Sequence, residues 1–519
     1  MDHRESHAIL AYHEATKHSE RSVRSSRHRL DWENQPLAFK VYRDLEPIPL
    51  LREFPEKEVP ALVAVSRAPG PRVAREAGER TLDLAVLSRV LQLSAGITRR
   101  RRLSGGTMYF RAYPNTGALH HVDLYLVTAE LPDLPAGVYH FGPHDFALRR
   151  LRKGDWRGVL VEASGGNRDL ARAPVIVASA STYWRNSWKY QARAWRHCFW
   201  DAGTLHANLL AVAATEDLEP RVVLGWADRP VERLLGLDPM REGALTLVPL
   251  GRSHRAPPPA LEIPELRLDT EPLSREEVDY PEIRAAHAAS SLADAAEAAA
   301  WRDAALEPDE PALAGPSTAL RPHADADLPR ESLDRVIRRR GSTRVFDCGR
   351  SIGFEELSTA LDCATREVPA DFLAPGATLL DLYLIVNAVE GLAPGSYRYR
   401  RTDRSLVLLR EGEQRGAAGR LGLGQDLPAA AAVNVYSLVD LPRALERFGN
   451  RGYRAAQLEG GITGGRLYLA AYAQRFGASG LTFFDDEVTD FFAPDAVGKS
   501  VMFLVALGHP DREALGLAS

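Results

Sequence analysis

The hydrophobic pattern along the chain predicts short buried strands separated by long helices. Residues 123–128 and 381–386 are rich in aliphatic and aromatic β-formers, which is typical of strands. Residues 202–215 and 464–476 carry apolar side chains at helical spacing. Further buried strands are predicted at residues 175–179, 245–250, 432–438 and 501–507. This alternation predicts an α+β fold.

The chain repeats itself at one fixed spacing. Residues 123–127 (DLYLV) return as residues 381–385 (DLYLI), and positions 123 and 381 differ by 258 residues. The same spacing relates Gly203 to Gly461. Self-similarity at a constant register is the sign of a tandem repeat. We therefore expect two homologous domains.

A proline-rich stretch separates the two repeats. It contains a proline run at residues 257–259 and many single prolines. Within it, residues 283–305 are rich in alanine, which predicts one helix. We predict a first domain at 1–256, a connector at 257–327 and a second domain at 328–519. A disordered linker is the alternative interpretation of the connector.

Composition and charge exclude several classes of protein. The 519 residues carry 65 Lys and Arg against 69 Asp and Glu, a net charge of −4, whereas dedicated nucleic-acid binders are usually basic. No apolar run reaches the roughly 18 residues of a membrane span, and the first residues do not resemble a secretory signal. Three cysteines without CxxC spacing, and no HExxH motif, predict neither disulfides nor a metal site. We therefore expect a cytoplasmic protein that binds neither nucleic acid nor membrane.

A basic segment at the start of the second repeat has the chemistry of an anion cradle. Arg340, Ser342 and Arg344 supply guanidinium and hydroxyl donors within a few positions, which suits a phosphate. The first repeat carries a similar pattern at Lys17, Ser19 and Arg21. A solvated basic helix end is the alternative interpretation of either segment.

A proline–glycine loop precedes the first strand of the first repeat. It contains Arg111, Pro114, Asn115 and Gly117. Proline fixes one dihedral angle and glycine permits a positive φ, so backbone amides can turn toward one ligand. The second repeat has only Ala-Pro-Gly-Ala at 374–377, which indicates that the two copies have diverged. A simple loop is the alternative.

Lys189 and Tyr190 form a candidate proton-handling pair. An ammonium beside a phenol is expected to stabilise the phenolate and lower the pKa of the tyrosine. The second repeat has Arg447 and Phe448 instead. An amphipathic helix entry with an exposed lysine is the alternative interpretation.

These segments together resemble the nitroreductase family of flavoproteins. In that family a basic-x-Ser-x-basic segment holds the FMN phosphate, and a Pro-Ser-x-Gly loop lies against the flavin ring. Lys189-Tyr190, with arginines downstream, is similar to the SagB-type branch of azoline dehydrogenases, in which Lys-Tyr is the catalytic pair. Residues 12–19 and 30–36 also resemble the opening of SagB-type proteins.

The resemblance implies a mostly antiparallel sheet flanked by helices, and FMN as the cofactor. Members of this family are usually homodimers that share FMN across the interface, so the two repeats are expected to form a pseudo-dimer within one chain. The intact site would combine the second-repeat cradle with the first-repeat loop. The segment from Lys17 to Arg21 would face the degraded loop at 374–377. We expect one well-formed FMN site; two sites and further homo-oligomerisation stay open.

The leading hypothesis is an FMN-dependent dehydrogenase that oxidises an azoline or related bond in a peptide-like or small substrate. An NAD(P)H-dependent reductase of nitro, quinone or ene compounds is the first alternative. A flavin-free scaffold in a biosynthetic complex is the second, because the second repeat has lost parts of its site.

Overall fold

The computed structural model describes residues 7–66, 79–103, 106–310 and 313–511. Its helices are α1 (His7–Ala15), α2 (Glu20–Ser25), α3 (Ala61–Ser66), α4 (Leu84–Ala95), α5 (Arg157–Ala163), α6 (Arg168–Arg172), α7 (Trp184–Tyr190), α8 (Ala194–Ala214), α9 (Asp228–Leu235), α10 (Pro281–Ala289), α11 (Ala295–Asp303), α12 (Leu333–Arg339), α13 (Phe354–Ala364), α14 (Arg415–Leu421), α15 (Asp426–Ala430), α16 (Leu441–Phe448), α17 (Arg451–Ala473) and α18 (Asp485–Phe491). No helix among these described residues is both long enough and apolar enough to cross a bilayer.

The strands form one large sheet in each repeat and two separate two-stranded sheets. They are β1 (Pro47–Pro49), β2 (Ile97–Leu103), β3 (Gly106–Arg111), β4 (Val122–Thr128), β5 (Gly137–Gly142), β6 (Ala147–Lys153), β7 (Val175–Thr182), β8 (Glu242–Leu250), β9 (Ser317–Ala319), β10 (Ile352–Gly353), β11 (Asp381–Val386), β12 (Val389–Glu390), β13 (Gly395–Arg400), β14 (Ser405–Glu411), β15 (Val433–Val439), β16 (Gly477–Gly480) and β17 (Ser500–Gly508).

The two large sheets share one strand order when one is read in reverse, and the second has an additional edge strand, β16. The first runs β1-β6-β5-β4-β7-β8 and the second β16-β17-β15-β11-β13-β14-β9, and every pair within them is antiparallel. Strands β4, β7 and β8 are buried along their whole length, because helices cover both faces. Because both faces of these strands are buried, their sequences are mostly apolar runs rather than alternating apolar and polar residues. The predicted α+β fold with antiparallel sheets is confirmed.

The long helices α8 and α17 join the repeats at a pseudo-twofold axis. They cross at Gly203 and Gly461, where a Cβ added to Gly203 would lie 2.7 Å from the Cα of Gly461. Trp195 and Tyr453 stack nearby with ring centroids 5.7 Å apart. Only glycine allows the two backbones to approach so closely. The two repeats therefore form the expected intrachain pseudo-dimer.

The short helices α3 and α12 are related by the same pseudo-twofold symmetry. The amide of Ala61 donates to the carbonyl of Glu331, and the amide of Leu333 donates to that of Val59, both at 3.0 Å. These reciprocal hydrogen bonds make α3 and α12 equivalent elements. Residues 67–78, which follow α3, lie outside the described residues.

The second repeat also extends further toward the N-terminus than the sequence indicates. The carbonyl of His13 in α1 accepts from Arg196, and that of His287 in α10 accepts from Arg454 in the same way. Strands β1 and β9 likewise pair with equivalent strands, β6 and β14. We therefore propose that the second repeat begins at Pro281 rather than at residue 328. The helix predicted at 283–305 is in fact two helices, because Asp294 caps the start of α11.

Candidate functional site

The second-repeat cradle meets the first-repeat loop, as the sequence predicts. Arg340 is 8% exposed, and its Nη2 donates to the carbonyl of Arg111 at 2.8 Å while its Nε donates to that of Ala112 at 3.2 Å. Burial lowers the pKa of Arg340. Because these donors are committed to backbone carbonyls, Arg340 ties the two repeats together at the site.

Ser342 and Arg344 remain available for an anion. The hydroxyl of Ser342 lies 3.2 Å from the phenol oxygen of Tyr468. Arg344 is exposed and has no acidic partner within 4 Å among the described residues. A hydroxyl and an unpaired guanidinium on one short segment are the donor set that a phosphate prefers.

Arg111 has a positioning role in the loop. It is buried, its Nε donates to the carbonyl of Ala95 at the end of α4, and its guanidinium lies 5.7 Å from the ring centroid of Tyr113. The side chain therefore fixes the start of the loop.

The rest of the loop is held by hydrogen bonds and a glycine. The carbonyl of Pro114 accepts from Thr204 Oγ1 at 2.6 Å, and Asn115 Nδ2 donates to His120 Nδ1 at 2.9 Å. Gly117 has a φ of 67°, and a Cβ there would lie 2.8 Å from the phenol oxygen of Tyr190. Glycine is thus required both by the backbone and by the approach of Tyr190.

Asp201 is a site residue that sequence reasoning did not select. Its carboxylate accepts from the amide of Thr116 at 2.9 Å, from the Thr116 hydroxyl at 2.8 Å, and lies 2.8 Å from His121 Nε2. The repeat alignment held the signal, because the counterpart Glu459 accepts from the Thr378 hydroxyl and from the amide of the next residue, Leu379. Leu379 therefore follows the anchor threonine where the first repeat has Gly117.

Lys189 and Tyr190 lie at the end of α7, beside the loop. The Nζ of Lys189 is 5.3 Å from the ring centroid of Tyr190, over the ring face. Burial raises the pKa of Tyr190, Asp201 adds to that effect, and Arg344 opposes it. The expected lowering of the tyrosine pKa is therefore wrong, because burial of the phenol outweighs the effect of Arg344. Burial and the like charge of Arg344 lower the pKa of Lys189.

The residue after this pair has a strained backbone. Gln191 has φ 51° and ψ −143°, and its counterpart in the second repeat, Gly449, has φ 59° and ψ −161°. This region of conformational space is essentially restricted to glycine. The first repeat therefore accepts strain directly after Lys189 and Tyr190.

Lys17, Ser19 and Arg21 do not form a second cradle. Lys17 pairs with Glu14 at 2.6 Å and with Asp486 at 2.8 Å, and Arg21 is exposed. Ser19 caps α2 by accepting from the amide of Ser22. The loop at 374–377 lies elsewhere, hydrogen-bonded through the amide of Ala374 to Leu306. The predicted pairing is corrected, because the basic-x-Ser-x-basic pattern here reflects a helix cap and surface charge.

Replacing Ser19 with alanine is therefore expected to cost about 1 kcal/mol of stability and no flavin, as for a lost helix cap. Ser342→Ala is the matched change in the cradle and should weaken flavin binding. Flavin absorbance and thermal unfolding of both variants check this. Loss of flavin in Ser19→Ala would instead support the predicted second cradle at Lys17, Ser19 and Arg21.

In the second repeat, protein covers the residues that stand in the places of Lys189 and Tyr190. Trp301 of α11 is 3% exposed, lies 5.4 Å from the ring of Phe448 and donates to the Phe448 carbonyl at 2.9 Å. Arg447 Nε donates to the carbonyl of Ala304 at 2.7 Å. The residues that stand in the places of Lys189 and Tyr190 are thus covered by the segment that follows α11.

One cluster in the described residues has spacing suited to a metal ion, namely Asp228, Glu232 and His287. Asp228 already binds Arg451 at 2.6 Å and Arg454 at 2.8 Å. Two guanidinium groups at this carboxylate oppose a further cation. The cluster joins α9 and α10 to α17.

Comparisons with known proteins agree with this architecture. The nitroreductase family profile matches residues 71–252 and 337–509. A crystal structure of a protein from Anabaena variabilis, titled as a nitroreductase, is 26% identical, covers 97% of this chain and 99% of its own, and superposes with a TM-score of 0.75.

Two relatives match by sequence over one part of the chain. A protein of Methanocaldococcus jannaschii named as a nitroreductase is 25% identical over 181 residues, which are 35% of this chain and 86% of the relative. The trifolitoxin-processing protein TfxB of Rhizobium leguminosarum bv. trifolii is 27% identical over 207 residues, 37% of this chain and 55% of TfxB.

The chain belongs to the nitroreductase family, since the family profile covers most of both repeats. It is an oxidoreductase with two nitroreductase domains in one chain. The residues present fit a flavin phosphate, because Arg344 offers an exposed, unpaired guanidinium and Ser342 a hydroxyl that contacts only Tyr468, beside the loop that contains Gly117.

Proposed function

We propose that the protein is an FMN-dependent dehydrogenase of the SagB type, which oxidises an azoline ring in a peptide-like substrate. The observation that carries the proposal is the position of Lys189 and Tyr190 against Gly117, between the loop and Arg344. TfxB, a relative named for processing the peptide trifolitoxin, supports a peptide-like substrate.

Lys189 is the proton acceptor in this proposal. Its lowered pKa increases the fraction of neutral amine at a given pH, and a neutral amine is a base. Tyr190 stays a neutral phenol and donates a hydrogen bond toward the substrate, since burial raises its pKa. FMN, held by the second-repeat cradle and the first-repeat loop, would supply the hydride acceptor, with dioxygen as the final electron acceptor.

One FMN per chain follows from the contrast between the repeats. Ser342 and Arg344 offer a hydroxyl and an unpaired guanidinium at the first site, whereas Trp301 and the segment after it cover Phe448 at the second. Bound flavin would therefore be shared by the second-repeat cradle and the first-repeat loop.

The direct test is incubation of the flavin-loaded protein with a synthetic thiazoline dipeptide in air. We expect formation of the thiazole together with one equivalent of hydrogen peroxide. Oxidation of NAD(P)H coupled to nitro- or quinone-compound reduction, without thiazole formation, would support the reductase instead. No turnover and no flavin binding would support a scaffold.

Turnover is expected to rise with pH, because Lys189 must lose its proton before it can act as a base. Burial and Arg344 lower its pKa, so the midpoint should lie below the ordinary lysine value of about 10.4. Arg344→Gln, assayed with excess FMN, removes the like charge and should move the midpoint to higher pH. A pH profile that falls on the alkaline side, or a midpoint unmoved by the substitution, would argue against Lys189 as the base.

A further inference from the structure

A two-stranded hairpin lies next to the first-repeat loop. Strands β2 and β3 pair only with each other, so each has an unpaired edge within the described residues. In the second repeat the corresponding stretch, residues 365–380, contains turns and two isolated bridges but no strand. The hairpin is therefore particular to the repeat that carries Lys189 and Tyr190.

The base of the hairpin is fixed to the site. The carbonyl of Tyr109 accepts from His120 Nε2 at 2.9 Å, and the Tyr109 ring lies 4.9 Å from that of Phe39. Burial lowers the pKa of Arg340, and the like charge of Arg99 adds to this effect, which places Arg99 near the cradle. Six residues of extended strand span about 20 Å, so the paired strands are long enough to reach beyond the loop.

The hairpin carries a concentrated positive charge. Arg99, Arg100, Arg101 and Arg102 are consecutive and exposed, and none has an acidic partner within 4 Å in the described part of the chain. Arg99 lies 4.1 Å from the ring centroid of Phe110, and Arg100 donates to the carbonyl of His144 at 3.1 Å. This concentration is unusual in a chain whose net charge is −4.

We propose that this hairpin docks an acidic segment of the peptide substrate, as an added strand whose carboxylates pair with the four arginines. The proposal rests on the proposed function and names the substrate class. Unpaired strand edges accept an extended backbone, and guanidinium groups bind carboxylates with two parallel hydrogen bonds. Consecutive strand residues point to opposite faces, so Arg100 and Arg102 form one face and Arg99 and Arg101 the other.

The test uses fluorescence anisotropy with a fluorescein-labelled peptide that contains six consecutive glutamates. Its counterpart with six glutamines, and a single-stranded oligonucleotide of equal charge, serve as comparison probes. We expect the glutamate peptide to bind most tightly and to weaken steeply with salt. The double variant Arg100→Glu/Arg102→Glu should weaken its binding at least tenfold.

The matched control is Arg410→Glu in β14. Arg410 is likewise an exposed strand arginine over an aromatic ring, 5.4 Å from the centroid of Phe491. The Arg410→Glu variant should bind the glutamate peptide as tightly as the unaltered protein does. Equal binding of the glutamate and glutamine peptides, tighter binding of the oligonucleotide, or equal losses in both variants would overturn the proposal.

Two further readouts separate this proposal from the proposed function. The hairpin variants should keep their flavin and their turnover of a small thiazoline without acidic residues. Loss of flavin or of small-substrate turnover in the hairpin variants would show that the arginines support the site itself rather than docking. Thiazoline inactivity of the unaltered protein would contradict the proposed function while leaving the binding comparison intact.

Discussion

Lys189→Met is expected to lower thiazoline turnover by about 100- to 10,000-fold at neutral pH, the range for loss of a general base. The methionine keeps the length of the side chain but cannot accept a proton. Flavin content should stay unchanged, because Lys189 lies over the Tyr190 ring and is not part of the cradle. Steady-state turnover and flavin absorbance measure the two effects.

Tyr190→Phe should give a smaller loss than Lys189→Met, since it removes a hydrogen-bond donor and leaves the base. Arg447→Met in the second repeat is the matched control and should leave turnover unchanged. Retained activity in Lys189→Met, or an equal loss in Arg447→Met, would refute the assignment of the pair.

Asp485→Asn is expected to lower the free energy of unfolding by about 3–5 kcal/mol, the cost of breaking a buried ion pair on one side. Its carboxylate accepts from Arg193 at 2.9 Å and from Arg196 at 2.6 Å, and all three side chains are buried. Although burial opposes ionisation, these two arginines hold the pKa of Asp485 well below its usual range. Its contribution is therefore present above the ordinary pKa of aspartate and is lost as pH falls.

Asp228→Asn is the symmetric change, because Asp228 binds Arg451 and Arg454 in the same geometry. Chemical denaturation should show a similar loss of stability for both variants. Only Asp485→Asn should also reduce turnover, since Asp485 anchors Arg193, three residues after Tyr190. If both variants lose less than about 1 kcal/mol of unfolding free energy, the ion pairs between these arginines and carboxylates contribute little to stability.

The repeat and the pairing of its parts could be predicted from the sequence. Constant spacing related Gly203 to Gly461, and the structure puts both glycines at the crossing of α8 and α17. The second-repeat cradle and first-repeat loop also meet as expected, through Arg340. These predictions succeeded because they depended on residue identity at fixed register.

Predictions that depended on environment failed. A lysine next to a tyrosine indicates a lowered tyrosine pKa, yet burial reverses the direction, and burial cannot be judged from two adjacent residues. Ser19 resembled a phosphate ligand because a helix cap and an anion cradle use the same hydroxyl chemistry. The equivalence of α1 and α10, from which we propose a start at Pro281, is not evident in the sequence because the two helices share only a few side chains.

The central claim is a single flavin site formed by both repeats, and the amount of flavin per chain tests it most directly. The protein would be saturated with FMN, freed of excess, denatured, and its released flavin identified and counted. We predict one FMN per chain, reduced in Ser342→Ala and unchanged in Ser19→Ala. Two FMN per chain would contradict the filling of the second site by Trp301, and none after reconstitution would contradict the flavin site altogether.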